Sequence, residues 1–467
     1  MSTSQPAPRT RLALHWQIII GMVVGLVVGL IINVAQAPLN SAAEASSAVA
    51  AVFEFVVNLN GFVGDLFLRG LRFIAVPIVL FSLIVGASSL NDLKKLSRIG
   101  SRTILIYLCT TAVAISVGLL LANILQPGTF LSPEVRDALA SASAGAIEDK
   151  VAAATAPNTW NTLLDIIPAN PFEALAKGRM LQVVFLALAI GVSLTLIPAA
   201  KAKPIIAAAD GLTDVIIKLV QGIMLTAPIA VFCLIVRVMA TLGLDVLGAL
   251  VVYSLTVVLG LALMTFVLYP LALKIFGGVS PRRFFKAIAP AQLLAFSSSS
   301  SSATLPVTLE CVEDRLGVGE DVASFVVPLG ATINMDGTAL YQGVAAVFIA
   351  QLYGIDLSFS DQLTIVLTAT LASVGTAGVP GVGLIMLVIV LQSVGMDDTV
   401  MKGGLAIIFG VDRLLDMCRT STNVTGDCMV AAVVAAREGD LLDESEVLAR
   451  LARAEATGLD EHPPSAA

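Results

Sequence analysis

Charged residues are scarce in this sequence of 467 residues, at 13% of the total. Soluble domains carry roughly twice that share, about 25%. Hydrophobic residues reach 57% and the mean hydropathy is +0.93, so too few polar side chains remain to cover a water-soluble protein. This composition excludes a cytosolic enzyme, a secreted disulfide-rich protein and a disordered regulator. With a pI near 5.0, it also excludes a nucleic-acid-binding protein. The sequence predicts a polytopic membrane protein.

Cysteine and histidine are also rare. The five cysteines, Cys109, Cys233, Cys311, Cys418 and Cys428, show no close pairing, so they predict neither a disulfide framework nor a zinc site. The two histidines lie one near each end of the chain. Histidine-based catalysis therefore has little support.

Long uncharged apolar runs are what the sequence does contain. Six approach or exceed the roughly 20 residues that a membrane-spanning helix needs: residues 17–33, 73–90, 103–126, 180–200, 219–236 and 246–273. We interpret the first as a retained helix because no cleavage site is evident. Lysine and arginine are more frequent on the cytoplasmic side when the N-terminus is placed in the cytoplasm. Residues 127–165 then form an external loop.

Two later apolar segments are interrupted. Residues 287–309 contain six consecutive serines at 297–302, and residues 362–396 contain a cluster of glycine and proline. Such backbone exposes polar groups, which persist at membrane depth only under protein cover or beside a wet cavity. We therefore predict two re-entrant helical hairpins. The alternatives are a low-complexity linker for the serines and a bent helix for the second segment.

Each interrupted segment precedes a helix with polar residues, at 322–355 and at 402–437. Interrupted segments at corresponding positions are typical of inverted-repeat transporters, which bind their substrates between them. Glycine and asparagine within residues 330–338 also permit a local unwinding of the first of these helices.

The last helix carries a polar face. At 100° per residue, Asp412, Asp416, Arg419, Asn423 and Asp427 share a face about 80° wide. Arg419 suits a ligand carboxylate, Asp416 suits an ammonium group, and Thr420 and Asn423 offer neutral hydrogen bonds. The alternative is an ion pair that only locks helices together. Asp336 and Asp427, with Asn334 and backbone carbonyls, suit a hard monovalent cation, or else they carry protons.

These residues closely resemble the glutamate/aspartate transporter family, the dicarboxylate/amino acid:cation symporters. The likeness extends from the first helix to about residue 437. Four motifs carry it in order: SSSSATLP at 299–306, PLGATINMDGTALY at 328–341, SVGTAGVPG at 373–381 and DMCRTSTNVTGD at 416–427.

The resemblance implies an all-α polytopic membrane protein with eight transmembrane helices, two re-entrant hairpins, inverted repeats and an elevator mechanism. It implies a homotrimer in the inner membrane with both termini cytoplasmic. Scaffold helices 1–2 would occupy residues 1–97, helix 3 of the transport domain 98–126, the external loop 127–162 and scaffold helices 4–5 residues 163–244. Helices 6–8 and both hairpins of the transport domain would occupy 245–437, and a cytoplasmic tail 438–467.

The resemblance also implies ligand residues. An acidic amino acid would contact Ser301, Thr338, Val379, Gly383, Asp416, Arg419, Thr420 and Asn423. One sodium would bind Asp427 with the backbone oxygens of Gly330, Asn334 and Asn423. A second would lie between Thr332, Met335, Ser373, Val374 and Thr376, and a third between Tyr107, Thr110, Thr111, Asn334 and Asp336. Sodium ions would be the coupling ions, and no cofactor or nucleic acid is expected.

Individual positions refine this expectation. Arg419 matches members that take acidic amino acids, and Gln342 replaces the glutamate of potassium-coupled members. Ser299 and Met417 occupy the two positions where members carry a further arginine, while Arg413 lies one turn earlier. We expect sodium-coupled uptake of L-aspartate or L-glutamate. The alternatives are a proton-coupled or C4-dicarboxylate carrier of the same fold, an ion channel and, with least support, a membrane enzyme.

Overall fold

The computed structural model describes residues 14–41, 47–89, 97–131, 167–177, 179–242, 245–373, 378, 380–447 and 449–450. Within these ranges the backbone is helical apart from short connections and one isolated bridge between Val318 and Leu441. The predicted all-α class agrees with this architecture. Most of the predicted external loop and the end of the predicted tail lie outside the described residues.

The described residues of the first half of the chain form seven α-helices. They are α1 (Leu14–Ser41), α2 (Ser47–Ser89), α3 (Ser97–Leu125), α4 (Pro171–Lys177), α5 (Met180–Leu196), α6 (Ala199–Met224) and α7 (Ala227–Leu242). The predicted apolar run at 219–236 is not one helix, because α6 and α7 meet at 54°. Pro228 lies in the first turn of α7 and lacks the amide hydrogen that a continuous helix needs there.

Helix α8 (Asp245–Leu263) continues to Gly277 through two π-helical turns, Met264–Leu268 and Leu273–Gly277. Within the part of the second half that the structure describes, seven more α-helices follow. They are α9 (Pro281–Ser298), α10 (Ser301–Glu310), α11 (Glu320–Ile333), α12 (Asp336–Leu352), α13 (Phe359–Ser373), α14 (Val382–Ser393) and α15 (Asp398–Glu438). The pairs α9–α10 and α13–α14 each pack against one another, as hairpins do.

Three described helices are long and apolar enough to cross a membrane: Trp16–Ala35, Ile99–Thr129 and Val246–Gly277. The bent pair α6–α7 makes a fourth if it is counted as one span. These helices expose large apolar side chains, for example Ile31, Ile124 and Leu255. Such a surface is suited to lipid, since monomeric water-soluble proteins rarely expose so many large apolar side chains together.

The serine run ends one helix and begins the next, as its predicted interruption requires. Ser299 adopts a left-handed conformation with φ 52°. Ser300 then caps α10, its Oγ accepting a hydrogen bond of 3.1 Å from the amide of Ala303. A serine hydroxyl at this position satisfies one of the free amides of the first turn.

Helix α12 lies at the centre of the second half. Nearly every one of its residues is buried, and it packs against α3, α8, α13, α14 and α15. A helix that is buried on all sides has no lipid-facing stripe. Its N-terminal end, where polar residues cluster, is therefore enclosed by protein.

Candidate substrate and cation sites

At the break between α11 and α12, the backbone lies directly against α15. Helix α11 ends at Ile333 and α12 begins at Asp336, so the unwinding predicted for residues 330–338 is present. Gly330 and Gly337 allow this approach. A Cβ on Gly330 would lie 2.4 Å from Oδ1 of Asp427, and one on Gly337 would lie 2.6 Å from the carbonyl oxygen of Arg419.

Asp336 is fully buried among hydroxyl groups. Its Oδ1 accepts a hydrogen bond of 2.7 Å from Thr111, and its Oδ2 accepts one of 2.8 Å from the hydroxyl of Tyr269. The Thr110 hydroxyl lies 3.4 Å from both Asp336 Oδ1 and Asn334 Oδ1. This is an all-oxygen donor set of the type that a hard cation prefers.

Asp427 and the break region are joined by amide side chains. The Asn334 amide donates to Asp427 Oδ1 over 2.9 Å, and the backbone amide of Gly337 donates to Asn423 Oδ1 over 2.7 Å. The Asn423 amide lies 3.2 Å from Met335 Sδ. The residues expected around the first sodium are thus neighbours, and their role as ligands stays a prediction.

Of the other two predicted sodium sites, the structure describes the residues of one completely and those of the other only in part. The Tyr107 hydroxyl donates to the Val326 carbonyl over 3.0 Å, while the Tyr107 carbonyl accepts from Thr110. Thr332 and Ser373 donate to carbonyls of their own helices, at Leu329 and Thr370. Val374 and Thr376 lie outside the described residues, so this second set stays a prediction.

A polar cavity lies beside the break. It is lined by Ser299, Ser301, Met335, Thr338, Gly378, Val382, Gly383, Asp416, Thr420 and Asn423. Most residues expected to contact a substrate are in this lining. Arg419 lies behind it, against Gly383, and Val379 lies outside the described residues.

Arg419 is fully buried and carries two ion pairs. One guanidinium nitrogen lies 2.9 Å from Asp412 Oδ1, and the other lies 2.7 Å from Asp416 Oδ1. Its Cζ stands 3.8 Å from the centre of the Tyr341 ring, which is a cation–π contact. A Cβ on Gly383 would be 3.2 Å from the guanidinium, so glycine at 383 lets the second hairpin approach the cation closely.

The two helical hairpins meet at the carbonyl oxygen of Gly378. The Ser300 hydroxyl donates to it over 2.6 Å, and the Ser302 amide donates over 3.2 Å. On the other side of the cavity, the Gly381 amide donates to Asp416 Oδ2 over 3.2 Å. The described residues of the second hairpin tip therefore close the cavity through hydrogen bonds at both ends.

Sequence reasoning missed two tyrosines of the site. Tyr269 lies within the apolar run at 246–273, and its partner Asp336 is 67 residues away, so no local pattern marks it. Tyr341 lies within a recognised motif but was given no role; it is the ring beneath Arg419. The sequence offers one hint for both residues. A tyrosine inside an apolar segment is expected to be buried, and a buried tyrosine normally needs a partner for its hydroxyl.

Comparison with known proteins identifies the family. The model of the sodium:dicarboxylate symporter family matches residues 14–437. The chain belongs to this family. The predicted resemblance is therefore confirmed. Members of the sodium:dicarboxylate symporter family are membrane transporters rather than enzymes, and the apolar helices of this chain are those of a multi-pass membrane protein.

The alignments with individual relatives cover most of this chain and most of each relative. The proton/sodium-glutamate symport protein of Geobacillus stearothermophilus is 37% identical over 382 residues, 82% of this chain and 88% of the relative. The proton/glutamate-aspartate symporter of Escherichia coli (strain K12) is 36% identical over 404 residues, 85% and 90% of the two chains. A C4-dicarboxylate transport protein of Rhodospirillum rubrum is 33% identical over 378 residues, 81% and 82%.

Proposed function

We propose that this transporter couples inward sodium flow to the uptake of L-aspartate or L-glutamate. The observation that carries the proposal is Arg419, a fully buried cation beside a polar cavity. A buried charge is costly, so it normally serves a binding site or a partner charge. Arg419 holds two partner charges, and a substrate carboxylate would take over part of that pairing through the guanidinium fork.

The rest of the cavity suits the remaining groups of an acidic amino acid. Asp416 lines the cavity and would accept the substrate's ammonium group. Thr338, Thr420 and Asn423 add neutral hydrogen-bonding groups. Ser301 and the amides of the hairpin tip would receive the second carboxylate, because free backbone amides at a helix start bind anions.

The sodium ions would occupy the oxygen clusters around the break. Asp336, Thr110, Thr111 and Asn334 would form one site, with the Tyr107 carbonyl nearby. Asp427 would form another with the carbonyls of the break. Because Asn334 and Asn423 link these clusters to the cavity wall, cation binding would order the substrate site. The coupling must then be reciprocal, so substrate would also raise sodium affinity.

The transport cycle would be an elevator movement. Residues 98–126 and 245–437 would move as the transport domain against a trimeric scaffold formed by residues 1–97 and 163–244, with eight spans and both termini cytoplasmic. The second hairpin would be the external gate, since its glycines can absorb backbone rearrangement. Its hydrogen bonds to Ser300 and Asp416 would form on closure.

Uptake of radiolabelled L-aspartate into proteoliposomes tests the proposal. The measurement compares an inward sodium gradient with equimolar choline at the same constant pH on both sides. We expect saturable uptake that requires sodium. Unlabelled L-glutamate should compete with the label, and succinate should not.

The main alternative is a proton-coupled or C4-dicarboxylate carrier, because the relatives include a proton/glutamate-aspartate symporter and a C4-dicarboxylate transport protein. Uptake that persists in choline and responds to a pH gradient would support proton coupling. Stronger competition by succinate than by L-glutamate would support the dicarboxylate reading. Flux that does not saturate would instead favour a channel.

A further inference from the structure

The carboxylate of Asp416 is contacted by two arginines instead of one. Arg419 binds its Oδ1 over 2.7 Å, while Arg413 reaches its Oδ2 over 3.5 Å. The amide of Gly381 donates to the same Oδ2. One carboxylate thus joins Arg413 and Arg419 of α15 to the tip of the second hairpin.

Arg413 approaches Asp416 from outside the substrate cavity. It lines a second cavity with Ile18, Met224, Gly381, Leu384, Phe409, Asp412 and Asp416, whereas the polar cavity contains Asp416 but not Arg413. Asp416 lines both cavities, so Arg413 is placed to act on a substrate through Asp416.

The four charges of this cluster balance only when Arg413 is counted. Asp412 and Asp416 contribute two negative charges, and Arg413 and Arg419 contribute two positive ones. Their side chains are 0–11% exposed, so water screens them weakly and an unbalanced charge is expensive. Without Arg413, one arginine would face two carboxylates.

We propose that Arg413 is a positioning residue that sets the preference for acidic over neutral substrates. By neutralising Asp416, it leaves the charge of Arg419 available to the substrate's side-chain carboxylate. If Arg413 were uncharged, the cluster would be anionic and would repel an anionic amino acid more than a neutral one. This inference rests on the proposed function, since it assumes that Arg419 receives a substrate carboxylate.

Equilibrium binding to the purified full-length protein tests the proposal at saturating sodium. The ligands are L-aspartate and L-asparagine, which differ by one charge at nearly equal size; asparagine is measured by competition. In Arg413→Gln we expect aspartate affinity to fall about tenfold and asparagine affinity by less than about threefold. Arg413→Lys restores the charge and should bring aspartate back to within about threefold of the parent.

A double-mutant cycle checks that the effect passes through Asp416. In an Asp416→Asn background the carboxylate is already neutral, so Arg413→Gln should then change aspartate affinity by less than about twofold. Leu414→Gln, at the exposed neighbouring position, is the matched control and should leave both affinities unchanged.

Several results would overturn the inference. Equal losses for aspartate and asparagine, or a lysine variant as weak as the glutamine variant, would show that Arg413 only packs. A full effect of Arg413→Gln in the Asp416→Asn background would show that it acts by another route. Absence of aspartate binding by the unmodified protein would instead overturn the proposed function itself.

Discussion

The contact between α1 and α7 and the contact between α12 and α15 bury helices in opposite ways. In the first, Gly21, Gly25 and Gly29 place α1 directly on α7. A Cβ on Gly21 would lie 2.5 Å from the carbonyl oxygen of Pro228, and one on Gly25 would lie 2.8 Å from that of Phe232. This apolar contact is called the glycine seam below.

The second contact is polar. Helices α12 and α15 meet through Gly337 and Asn423, with Asp336, Arg419 and Asp427 buried close by. Helices in lipid associate mainly through close van der Waals packing, which the glycine seam provides at little electrostatic cost. Buried charges add cost without adding packing. We infer that the glycine seam governs stability and that the polar contact governs ligand binding.

Replacing Arg419 should have the largest effect on this polar contact. In Arg419→Ala we expect binding of acidic substrate to be lost, while sodium still binds the Asp336 and Asp427 clusters. Removing the cation also leaves Asp412 without its arginine and Asp416 with Arg413 alone, at a cost of about 3–5 kcal/mol. Isothermal titration of the purified protein with L-aspartate measures the loss of substrate binding. A second titration with sodium checks that the cation still binds.

Arg419→Lys addresses the case in which the alanine variant fails to fold. Lysine keeps the charge but not the two-pronged geometry, so aspartate affinity should still fall by at least about tenfold. Arg237→Ala is the matched control, because this arginine is half-exposed and lies 3.5 Å from Asp65, in another part of the fold. Undiminished aspartate affinity in the lysine and alanine variants would contradict the role of Arg419.

Replacing Asp336 should have the next largest effect, on the cation rather than on the substrate. Asp336→Asn retains an oxygen for Thr111 or Tyr269 but removes the charge. A charge-assisted contact contributes about 1.5–3 kcal/mol, so the sodium concentration for half-maximal aspartate binding should rise about 10- to 100-fold. A sodium titration at fixed aspartate concentration measures this shift.

Asp314→Asn is the matched control, as Asp314 pairs with Arg450 and is partly exposed. It should leave the sodium titration unchanged. A sodium titration in Asp336→Asn that overlays the parent, together with altered pH dependence, would favour a proton carrier at this position.

The sequence predicts the polar contact better than it predicts the glycine seam. The polar contact was largely anticipated, because serine, glycine and asparagine in apolar segments have few explanations, and because helical spacing places Asp416, Arg419 and Asn423 on one face. The break before Asp336 and the end of α9 at the serines follow from the same local chemistry.

What the sequence did not predict depends on distant or long side chains. Arg413 is 100° from Asp412 around an ideal helix, off the polar face, yet its long side chain reaches Asp416. Tyr269 meets Asp336 only through the tertiary fold. The bend between α6 and α7 lies in a continuous apolar run in which Pro228 is the one local signal. The glycine spacing of α1 likewise gains meaning only once α7 lies against it.

A bulky residue in the glycine seam should lower stability without changing ligand affinity. In Gly25→Leu the new side chain would meet the backbone of Phe232, so the helices must separate. Overpacking of this kind costs about 1–3 kcal/mol, which should lower the thermal unfolding midpoint in detergent by several degrees. Val24→Leu, on the exposed side of α1, should leave the midpoint unchanged.

The aspartate affinity of the folded Gly25→Leu protein decides whether the two contacts are separate. It should match the parent within about twofold when measured well below the unfolding midpoint. A large loss of affinity at unchanged stability would reverse the assignment and make the seam part of the binding mechanism.

The smallest effect is expected where polar contacts lie at the surface instead of in the core. Arg283 donates hydrogen bonds to the carbonyls of Leu316 and Leu442, over 2.7 and 2.6 Å, and so fastens the segment after α15 to the end of the first hairpin. In Arg283→Gln, with Arg282→Gln as control, hydrogen exchange at residues 440–447 should accelerate about fivefold to tenfold, as loss of roughly 1 kcal/mol of local stability predicts. Aspartate affinity and the unfolding midpoint should stay at parental values, because the contact carries no buried charge and little apolar packing. A shift in aspartate affinity would mean that the chain after α15 is linked to the cavity. Burial alone would then not separate the polar contacts that bind ligands from those that only hold the chain.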